Sequence, residues 1–203
     1  IILHANNEIG TINPIRKIGK LCKKNNIPLL VDAAQSFGKL PIDVEKDNIA
    51  LLTGSSHKIY GPKGVGFLFR RMGVKLDPLT HGGGHEFGLR SGTLNVAGIV
   101  GLGEAFNVMV SKHVVEIEKL KELSSKFLKK INDSGVEYFL NGPLKERLPG
   151  NLNICFPHVD ARWLLTMLPN IAMARGSACT SQTIQPSHVL RSIGMNDKNA
   201  NSS

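Results

Sequence analysis

The strongest indication of the fold is the stretch from Pro28 to Arg70, PLLVDAAQSFGKLPIDVEKDNIALLTGSSHKIYGPKGVGFLFR. It contains three short apolar segments, Pro28–Val31, Ile49–Thr53 and Val65–Phe69, separated by turn residues. Apolar segments of this length that are bounded by turns predict β-strands. Together with a helix before them, they predict a layered α/β sheet, in which ligands gather where parallel strands end.

Further helices and strands are predicted on both sides of this stretch. Ile1–Ala5 is apolar enough for a strand, and after Pro14 the apolar residues recur at helical spacing. Val96–Ile131 predicts a long helix with Glu and Lys on its polar faces. Beyond it we predict short strands, one helix and a polar tail, in the order Tyr138–Leu140, Leu152–Phe156, Arg162–Leu168 (the helix), Ile171–Ala174 and Asn196–Ser203 (the tail). The pattern predicts two domains, residues 1–113 and a smaller α+β domain of residues 114–203.

The composition of the 203 residues excludes several classes of protein. With 41% hydrophobic and 20% charged residues, the chain suits a globular core rather than a disordered segment, and it has no apolar run long enough for a membrane span. The formal charge of +9 raises the question of nucleic acid. The basic residues are spread over two helices without interleaved aromatic residues, so nucleic acid is not expected as a partner. Three cysteines without a CxxC pair predict a reducing compartment.

The opening segment IILHANNEIG predicts that the sequence is part of a longer chain. It has no initiator Met, no basic region and no long apolar region, so no targeting segment is visible. It has instead the pattern of the middle of a strand followed by a turn.

Polar residues follow three of the predicted strands at the point where each strand ends. They are Asn6-Asn7-Glu8, Asp32-Ala33-Ala34-Gln35 and Ser55-Ser56-His57-Lys58. Each group alone is compatible with a helix cap or a polar turn. Together they place a carboxylate, amides, hydroxyls, an imidazole and an amine on one rim of the sheet.

This combination of groups indicates pyridoxal phosphate as the cofactor. A lysine amine forms a Schiff base with an aldehyde cofactor, and a carboxylate keeps the pyridine nitrogen protonated so that the ring accepts electrons. Lys58 is the better candidate amine because it directly follows the strand-end Ser-Ser-His. Lys63 in the neighbouring GPKG turn is the alternative, although an ordinary turn residue is the simpler interpretation of it.

Two segments nearer the C-terminus also have unusual compositions. Thr80–Thr93 holds five glycines and ends in Arg-Ser-Gly-Thr, which is typical of a loop that binds an anion. Its histidines His81 and His85 are four residues apart, but the glycines between them disfavour a rigid ligand face, so no metal is predicted. Arg175–Ser181 places Cys179 among small polar residues beside a basic one. A thiol in such a loop can ionise and act as a nucleophile, and an incidental surface thiol is the alternative.

Five motifs occur in a fixed order along the whole chain. They are HANNEIG, VDAAQSFGKLPID, SSHKIYGPKGVG, HGGGHEFGLRSGTLNV and GSACTSQTIQPSHVLRSIG. They resemble the cysteine desulfurases, pyridoxal-phosphate enzymes of the class-V aminotransferase family with the aspartate-aminotransferase-like fold (fold type I). The resemblance implies that residues 1–113 are the C-terminal part of the large domain that binds pyridoxal phosphate. Residues 114–203 then correspond to a truncated small C-terminal domain that carries the cysteine loop.

The resemblance assigns the residues around the cofactor ring. Lys58 resembles the Schiff-base lysine, and Asp32 resembles the partner of the pyridine nitrogen. Gln35 resembles the amide that bonds the ring hydroxyl, and Asn7 resembles the asparagine that faces the cofactor and the substrate carboxylate.

The resemblance also assigns the phosphate ligands and the sulfur nucleophile. Ser55, His57 and Thr93 resemble phosphate ligands, with Thr93 reaching over from the other subunit of a homodimer. Cys179 resembles the cysteine that takes up sulfur as a persulfide. The predicted catalytic residues are therefore Lys58, His57 and Cys179.

The implied reaction removes sulfur from L-cysteine and gives L-alanine and a persulfide on the enzyme. A sulfur-acceptor protein, such as a scaffold of iron–sulfur cluster assembly or a partner in thiolation, then takes the sulfur. The resemblance implies the cytoplasm, or the mitochondrial matrix of a eukaryote. Part of the family's cofactor domain and its carboxylate-binding arginine have no counterpart here, so this chain alone is predicted to be inactive. Two alternatives stay open, a selenocysteine lyase and a non-catalytic partner protein of the same fold.

Overall fold

Two compact units make up the part of the chain that the computed structural model describes, residues 1–175 and 186–203. The first unit consists of Ile1–His4 and Asn13–His113, and the second of Ala5–Ile12 and Val114–Ser203. The short segment Ala5–Ile12 thus packs with the C-terminal unit, although the strand before it belongs to the first. The domain boundary after residue 113 stays a prediction, because units of packing need not coincide with the domains of a family.

Four strands form the sheet of the first unit, in the order in which they occur along the chain. They are β1 (Ile2–Leu3), β2 (Leu30–Asp32), β3 (Leu51–Ser55) and β4 (Gly66–Arg70). β1, β2 and β3 run parallel, with Val31 opposite Leu52, and β4 is antiparallel to β3, with Ser55 opposite Gly66. The carboxyl ends of the three parallel strands therefore lie at one edge of the sheet.

Helix α1 (Ile15–Lys24) packs against this sheet with its apolar side. It begins directly after Pro14, whose fixed φ suits a helix start. The buried cluster consists of Ile15, Leu29, Val31, Ala33, Ile49 and Leu52. Gly19 allows α1 to lie close to the backbone of Asp47, because a Cβ at this position would lie 1.8 Å from the carbonyl oxygen of Asp47. Burial of these apolar side chains is the main source of free energy for the layer.

Two 3-10 helices and one long α-helix also follow β3 along the chain. The 3-10 helices are Ser56–Ile59, directly after β3, and Glu86–Gly88. Helix α2 (Val96–Asp133) follows and has 38 residues. No helix within residues 1–175 or 186–203 combines the length and the apolar character needed to cross a membrane.

Within its described residues, the second unit has a two-stranded sheet and three short helices besides the C-terminal part of α2. The strands β5 (Phe139–Leu140) and β6 (Ile154–Cys155) are antiparallel. The helices are α3 (Ala161–Met167), α4 (His188–Ser192) and α5 (Asp197–Asn201). Each helix begins at a polar side chain that accepts hydrogen bonds from backbone amides, namely Asp160, Ser187 and Asn196.

The predicted α/β architecture is confirmed, and so are the three strands within Pro28–Arg70 and the long helix. Two local expectations are wrong. Ile171–Ala174 is not a strand, because its residues are exposed and no strand of the described ranges pairs with them. The expected polar tail contains α5, because Asn196 caps a helix there.

Candidate functional site

The carboxyl edge of the parallel sheet carries most of the residues predicted to hold a cofactor. Asp32 is the last residue of β2 and lies opposite Thr53 of β3. Ser55 ends β3, and the 3-10 helix Ser56–Ile59 follows it directly and carries Lys58. Because β2 and β3 are neighbouring parallel strands, the structure brings these carboxylate, hydroxyl and amine groups to the same edge.

Two donors orient the carboxylate of Asp32. The backbone N–H of Ala34 lies 2.9 Å from Oδ1, and the hydroxyl of Thr53 lies 3.5 Å from the same atom. Among the described residues, nothing donates a hydrogen bond to Oδ2. Asp32 is half-buried, so a fixed carboxylate oxygen is available to a cation or to a protonated ring nitrogen.

Ser55 and His57 form a hydrogen-bonded pair, with 2.8 Å between Oγ and Nδ1. If the hydroxyl donates, the imidazole carries its proton on Nε2 and can donate from there. If Nδ1 donates, the hydroxyl proton is free. Either arrangement leaves one donor for an anion, and His57 is exposed. The pair therefore suits a phosphate oxygen.

Lys58 lies between two buried residues of its 3-10 helix. Ser56 is 0% exposed and Ile59 is 3% exposed, so the backbone is fixed while the Lys58 side chain is half-buried. The helix ends at Tyr60 in the left-handed conformation, with a φ of 65°. None of the ion pairs in the described part of the chain involves Lys58. Its amine is therefore not neutralised by a carboxylate and is available to a carbonyl group.

Lys39 is a second lysine beside this site, and sequence reasoning missed it. It follows Gly38, which is left-handed (φ +79°) and sits so close to Ile59 that a Cβ would lie 2.9 Å from its Cγ2. The turn that carries Lys39 thus packs on the helix that carries Lys58. Burial lowers the pKa of Lys39, and the charge of Lys58 lowers this pKa further. The sequence offered no signal for this approach, because Gly-Lys-Leu-Pro is an ordinary turn composition.

Asn7 lies in the second unit, in the loop Ala5–Ile12. The side chain of Asn6 shapes the loop, since its Oδ1 accepts hydrogen bonds from the N–H groups of Glu8 (2.9 Å) and Ile9 (3.0 Å). Asn151 Nδ2 donates to the carbonyl oxygen of Asn7 at 3.1 Å. The Asn7 side chain is exposed, and no residue in the described part of the chain bonds to its amide, whereas its backbone is anchored.

The remaining predicted residues are less constrained. Gln35 is half-buried in the turn after β2, and Thr93 is exposed before α2. No hydrogen bond to either side chain is present in the described part of the chain. Lys63, the alternative amine, is exposed, and Cys179 lies outside the described residues. The catalytic and binding roles of all these residues stay predictions.

A groove of about 450 Å³ in the second unit does not coincide with any predicted site residue. It is lined mainly by the C-terminal half of α2, including Leu123 and Phe127. Its walls offer no carboxylate, imidazole or thiol, so the arrangement of reactive groups is a better guide to chemistry than the size of this groove. No cluster of three or more potential metal ligands occurs in residues 1–175 and 186–203.

The chain belongs to the aminotransferase class-V family, whose model matches residues 1–200. Within this family its sequence is similar to cysteine desulfurases. It is 47% identical over 204 residues to cysteine desulfurase IscS of Aeromonas hydrophila. The identity to cysteine desulfurase IscS of Pseudomonas putida (strain GB-1) is also 47% over 204 residues. Each comparison covers 100% of this chain and 50% of the relative, so the chain spans about half the length of the curated relatives it matches. The family expected from the five motifs is confirmed.

Solved structures support the same conclusion about the fold. A NifS-like protein from Rickettsia africae matches 98% of this chain and 53% of its own chain, with a TM-score of 0.88 and 32% identity. SspA in complex with cysteine matches 98% of this chain and 55% of its own, with a TM-score of 0.78 and 38% identity. The predicted fold class, a part of the aspartate-aminotransferase-like fold, is confirmed.

Proposed function

We propose that the protein to which this chain belongs is a pyridoxal-phosphate-dependent cysteine desulfurase. One observation carries the proposal: at one edge of a parallel sheet lie a hydroxyl–imidazole pair, a carboxylate oxygen and a lysine amine, and the last two have no partner within residues 1–175 and 186–203. The similarity to cysteine desulfurases and to the structure of SspA in complex with cysteine supports L-cysteine as the substrate.

The residues of this edge fit pyridoxal phosphate in their chemistry. Lys58 would bind the aldehyde carbon, and the free Oδ2 of Asp32 would accept a hydrogen bond from the pyridine nitrogen. Ser55 and His57 would donate to the phosphate. When bound, the cofactor withdraws electrons from the α-carbon of the amino acid substrate.

The resemblance supports three further contacts with the cofactor and substrate. Gln35 would bond the ring hydroxyl, and Asn7 would face the substrate carboxylate. Thr93 would reach the phosphate of a second subunit, which requires a homodimer. The exposed side chain of Thr93 is available for such a contact.

This chain's own residues have distinct tasks in the proposed reaction. Lys58 would act as the base that takes the proton from the α-carbon of the substrate. The thiolate of Cys179 would attack the substrate sulfur, so that an S–S bond forms as the sulfur–carbon bond breaks. L-Cysteine and the Cys179 thiol would thus give L-alanine and a persulfide, and the electrons balance without another oxidant. A sulfur-acceptor protein, such as an iron–sulfur scaffold, would then take the terminal sulfur.

We also propose a reducing compartment, the cytoplasm or, in a eukaryote, the mitochondrial matrix. Cys22 and Cys155 are free thiols, and Cys155 is buried where burial raises its pKa. Such a thiol is inert and needs no oxidising environment.

Borohydride trapping of the cofactor tests the proposal. We expect the purified protein, incubated with pyridoxal phosphate and reduced, to carry one adduct at Lys58 in a peptide mass map. Lys58→Ala should lose this adduct, and the matched variant Lys63→Ala should keep it. An adduct that follows Lys63, or that is scattered over surface lysines, would contradict the site.

Persulfide formation tests the reaction itself. With L-cysteine, the protein should release alanine and gain one sulfur on Cys179, and Cys179→Ala should lose the persulfide while keeping the adduct at Lys58. Faster alanine release from L-selenocysteine, with no dependence on Cys179, would favour a selenocysteine lyase. A protein that binds the cofactor but releases no alanine would be a non-catalytic partner.

A further inference from the structure

A buried carboxylate in the loop Ala5–Ile12 bonds to a residue far along the chain. Glu8 is 6% exposed, and the hydroxyl of Ser187 donates a hydrogen bond to its Oε2 at 2.5 Å. The two residues are 179 positions apart. In the described part of the chain, no other side chain bonds to this carboxylate. A buried carboxylate costs free energy unless it is paired, so this hydrogen bond is the reason that Glu8 can be buried.

Ser187 also caps helix α4. Its Oγ accepts hydrogen bonds from the N–H groups of Val189 (3.1 Å) and Leu190 (3.3 Å). A hydroxyl has one proton to donate and two lone pairs that accept, so all the capacity of Ser187 is used when Glu8 is present. Without Glu8, the proton has no acceptor and the cap is no longer held in one orientation.

Apolar packing surrounds this polar contact. Ile9, directly after Glu8, forms a buried cluster with Leu190 and Ala200. Leu190 is 1% exposed. Apolar contacts favour burial without fixing orientation, whereas the hydrogen bond from Ser187 has a defined direction. The polar contact therefore fixes how the start of α4 is aligned on the loop.

We propose that Glu8 is a positioning residue that holds the loop carrying Asn7 against Ser187 at the start of α4. The inference rests on the proposed function, in which the side-chain amide of Asn7 would face the substrate. The contact between Glu8 and Ser187 would then fix the position of that amide during the reaction.

The test separates positioning from folding in the protein loaded with pyridoxal phosphate. Single-turnover persulfide formation on Cys179 should slow about tenfold in Glu8→Ala and in Ser187→Ala, as expected for loss of one hydrogen bond to a charged group. The double variant should be no slower than the slower single variant, because both remove the same contact. Borohydride trapping at Lys58 should be unchanged in all three.

Two conservative variants and one control complete the comparison. Ser187→Thr keeps the hydroxyl and Glu8→Gln keeps an acceptor, so both should stay within about threefold of the original rate. Ser192→Ala removes a different hydroxyl from α4, one that donates to the carbonyl oxygen of His188 at 2.8 Å. It should leave the persulfide rate unchanged.

Hydrogen exchange gives a second measurement that does not depend on activity. The amides of Val189 and Leu190 should exchange about tenfold faster in Glu8→Ala, and those of β3 should not change. The positioning role would be overturned if the decreases in persulfide rate were additive in the double variant. It would also be overturned if the single variants formed persulfide at an unchanged rate. If the original protein forms no persulfide, the proposed function fails. Unchanged exchange at Val189 and Leu190 in Glu8→Ala would overturn the role of the contact between Glu8 and Ser187 as well.

Discussion

The sheet edge of the first unit and the loop Ala5–Ile12 of the second use polar groups in opposite ways. At the sheet edge, Oδ2 of Asp32 and the amine of Lys58 have no hydrogen-bond partner among the described residues, and apolar packing beneath holds them in place. In the loop, Glu8 and the backbone of Asn7 are bonded to residues far along the chain. A site that binds ligands needs unpaired polar groups that are held by a rigid part of the fold. A loop without its own core needs paired groups to hold it.

The largest expected effect tests whether apolar packing supports the sheet edge. Gly19→Ala should lower the free energy of unfolding by about 3 kcal/mol, because the new methyl group would lie 1.8 Å from the carbonyl oxygen of Asp47 and α1 would have to shift from its packed position. Gly103→Ala is the matched control, since it is also helical and its Cβ meets nothing within 4 Å. It should stabilise by about 1 kcal/mol. Urea denaturation of the four-stranded unit measures both.

Equal stabilities for the two variants would contradict the comparison. They would mean that α1 can shift without loss and that packing does not fix the sheet edge. Borohydride trapping at Lys58 sharpens the result. If Gly19→Ala weakens trapping and Gly103→Ala does not, the reaction at Lys58 depends on the rigid packing of the first unit.

The sheet edge could be predicted from sequence, because its residues lie within one stretch of the chain. Asp32 and Lys58 both follow short apolar strands, and parallel neighbours end at one edge. The approach of Lys39 could not be predicted, because it depends on how Gly38 packs on Ile59. Spacing in a sequence gives no information on which turn contacts which helix.

The contacts of the second unit could not be predicted for a different reason. Glu8 and Ser187 are 179 positions apart, and neither has a local pattern that indicates a partner. The same limit explains why Ile171–Ala174 was expected to be a strand. Its composition suits a strand, but a strand also needs a neighbour to pair with.

The second prediction tests whether hydrogen bonds hold the loop of the second unit. Arg147 donates to the carbonyl oxygens of Pro143 (2.8 Å) and Asn141, and to Asn151 at 3.4 Å. Burial lowers the pKa of Arg147, because it removes water from around the charged guanidinium. Arg147→Met should lower the free energy of unfolding by about 2 kcal/mol, because these carbonyls lose their donor. Hydrogen exchange at Leu148, whose N–H bonds to the carbonyl oxygen of Gly10, should accelerate.

Arg162→Met is the matched control for this arginine. Arg162 pairs with Asp160 at 2.9 Å on the surface, where the pair holds the pKa of Asp160 down to about 2. Exposed pairs of this kind contribute little to stability, so no measurable change is expected. If Arg162→Met destabilises as much as Arg147→Met, the loop is not held by its buried hydrogen bonds.

The smallest expected effect concerns a buried polar group of the first unit that has no partner. His4 is 8% exposed, and within the described ranges its Nδ1 has no hydrogen bond. Burial lowers the pKa of His4 below 6.5, and the charge of Asp47 only partly opposes this. Above pH 6.5 the imidazole is neutral in both the folded and the unfolded chain. Below pH 6.5 the unfolded chain takes up the proton first, so stability falls as the pH falls, by at most about 1.4 kcal/mol per pH unit.

His4→Gln should remove that acid-dependent loss, whereas His81→Gln should not, because His81 is exposed. Unfolding midpoints between pH 7 and pH 5 measure the difference. An identical acid dependence in all three proteins would mean that His4 finds a partner or water in solution. The imidazole of His4 would then be paired as fully as the carboxylate of Glu8 in the loop of the second unit. The contrast between the two regions would be confined to the sheet edge, where unpaired groups serve the proposed chemistry.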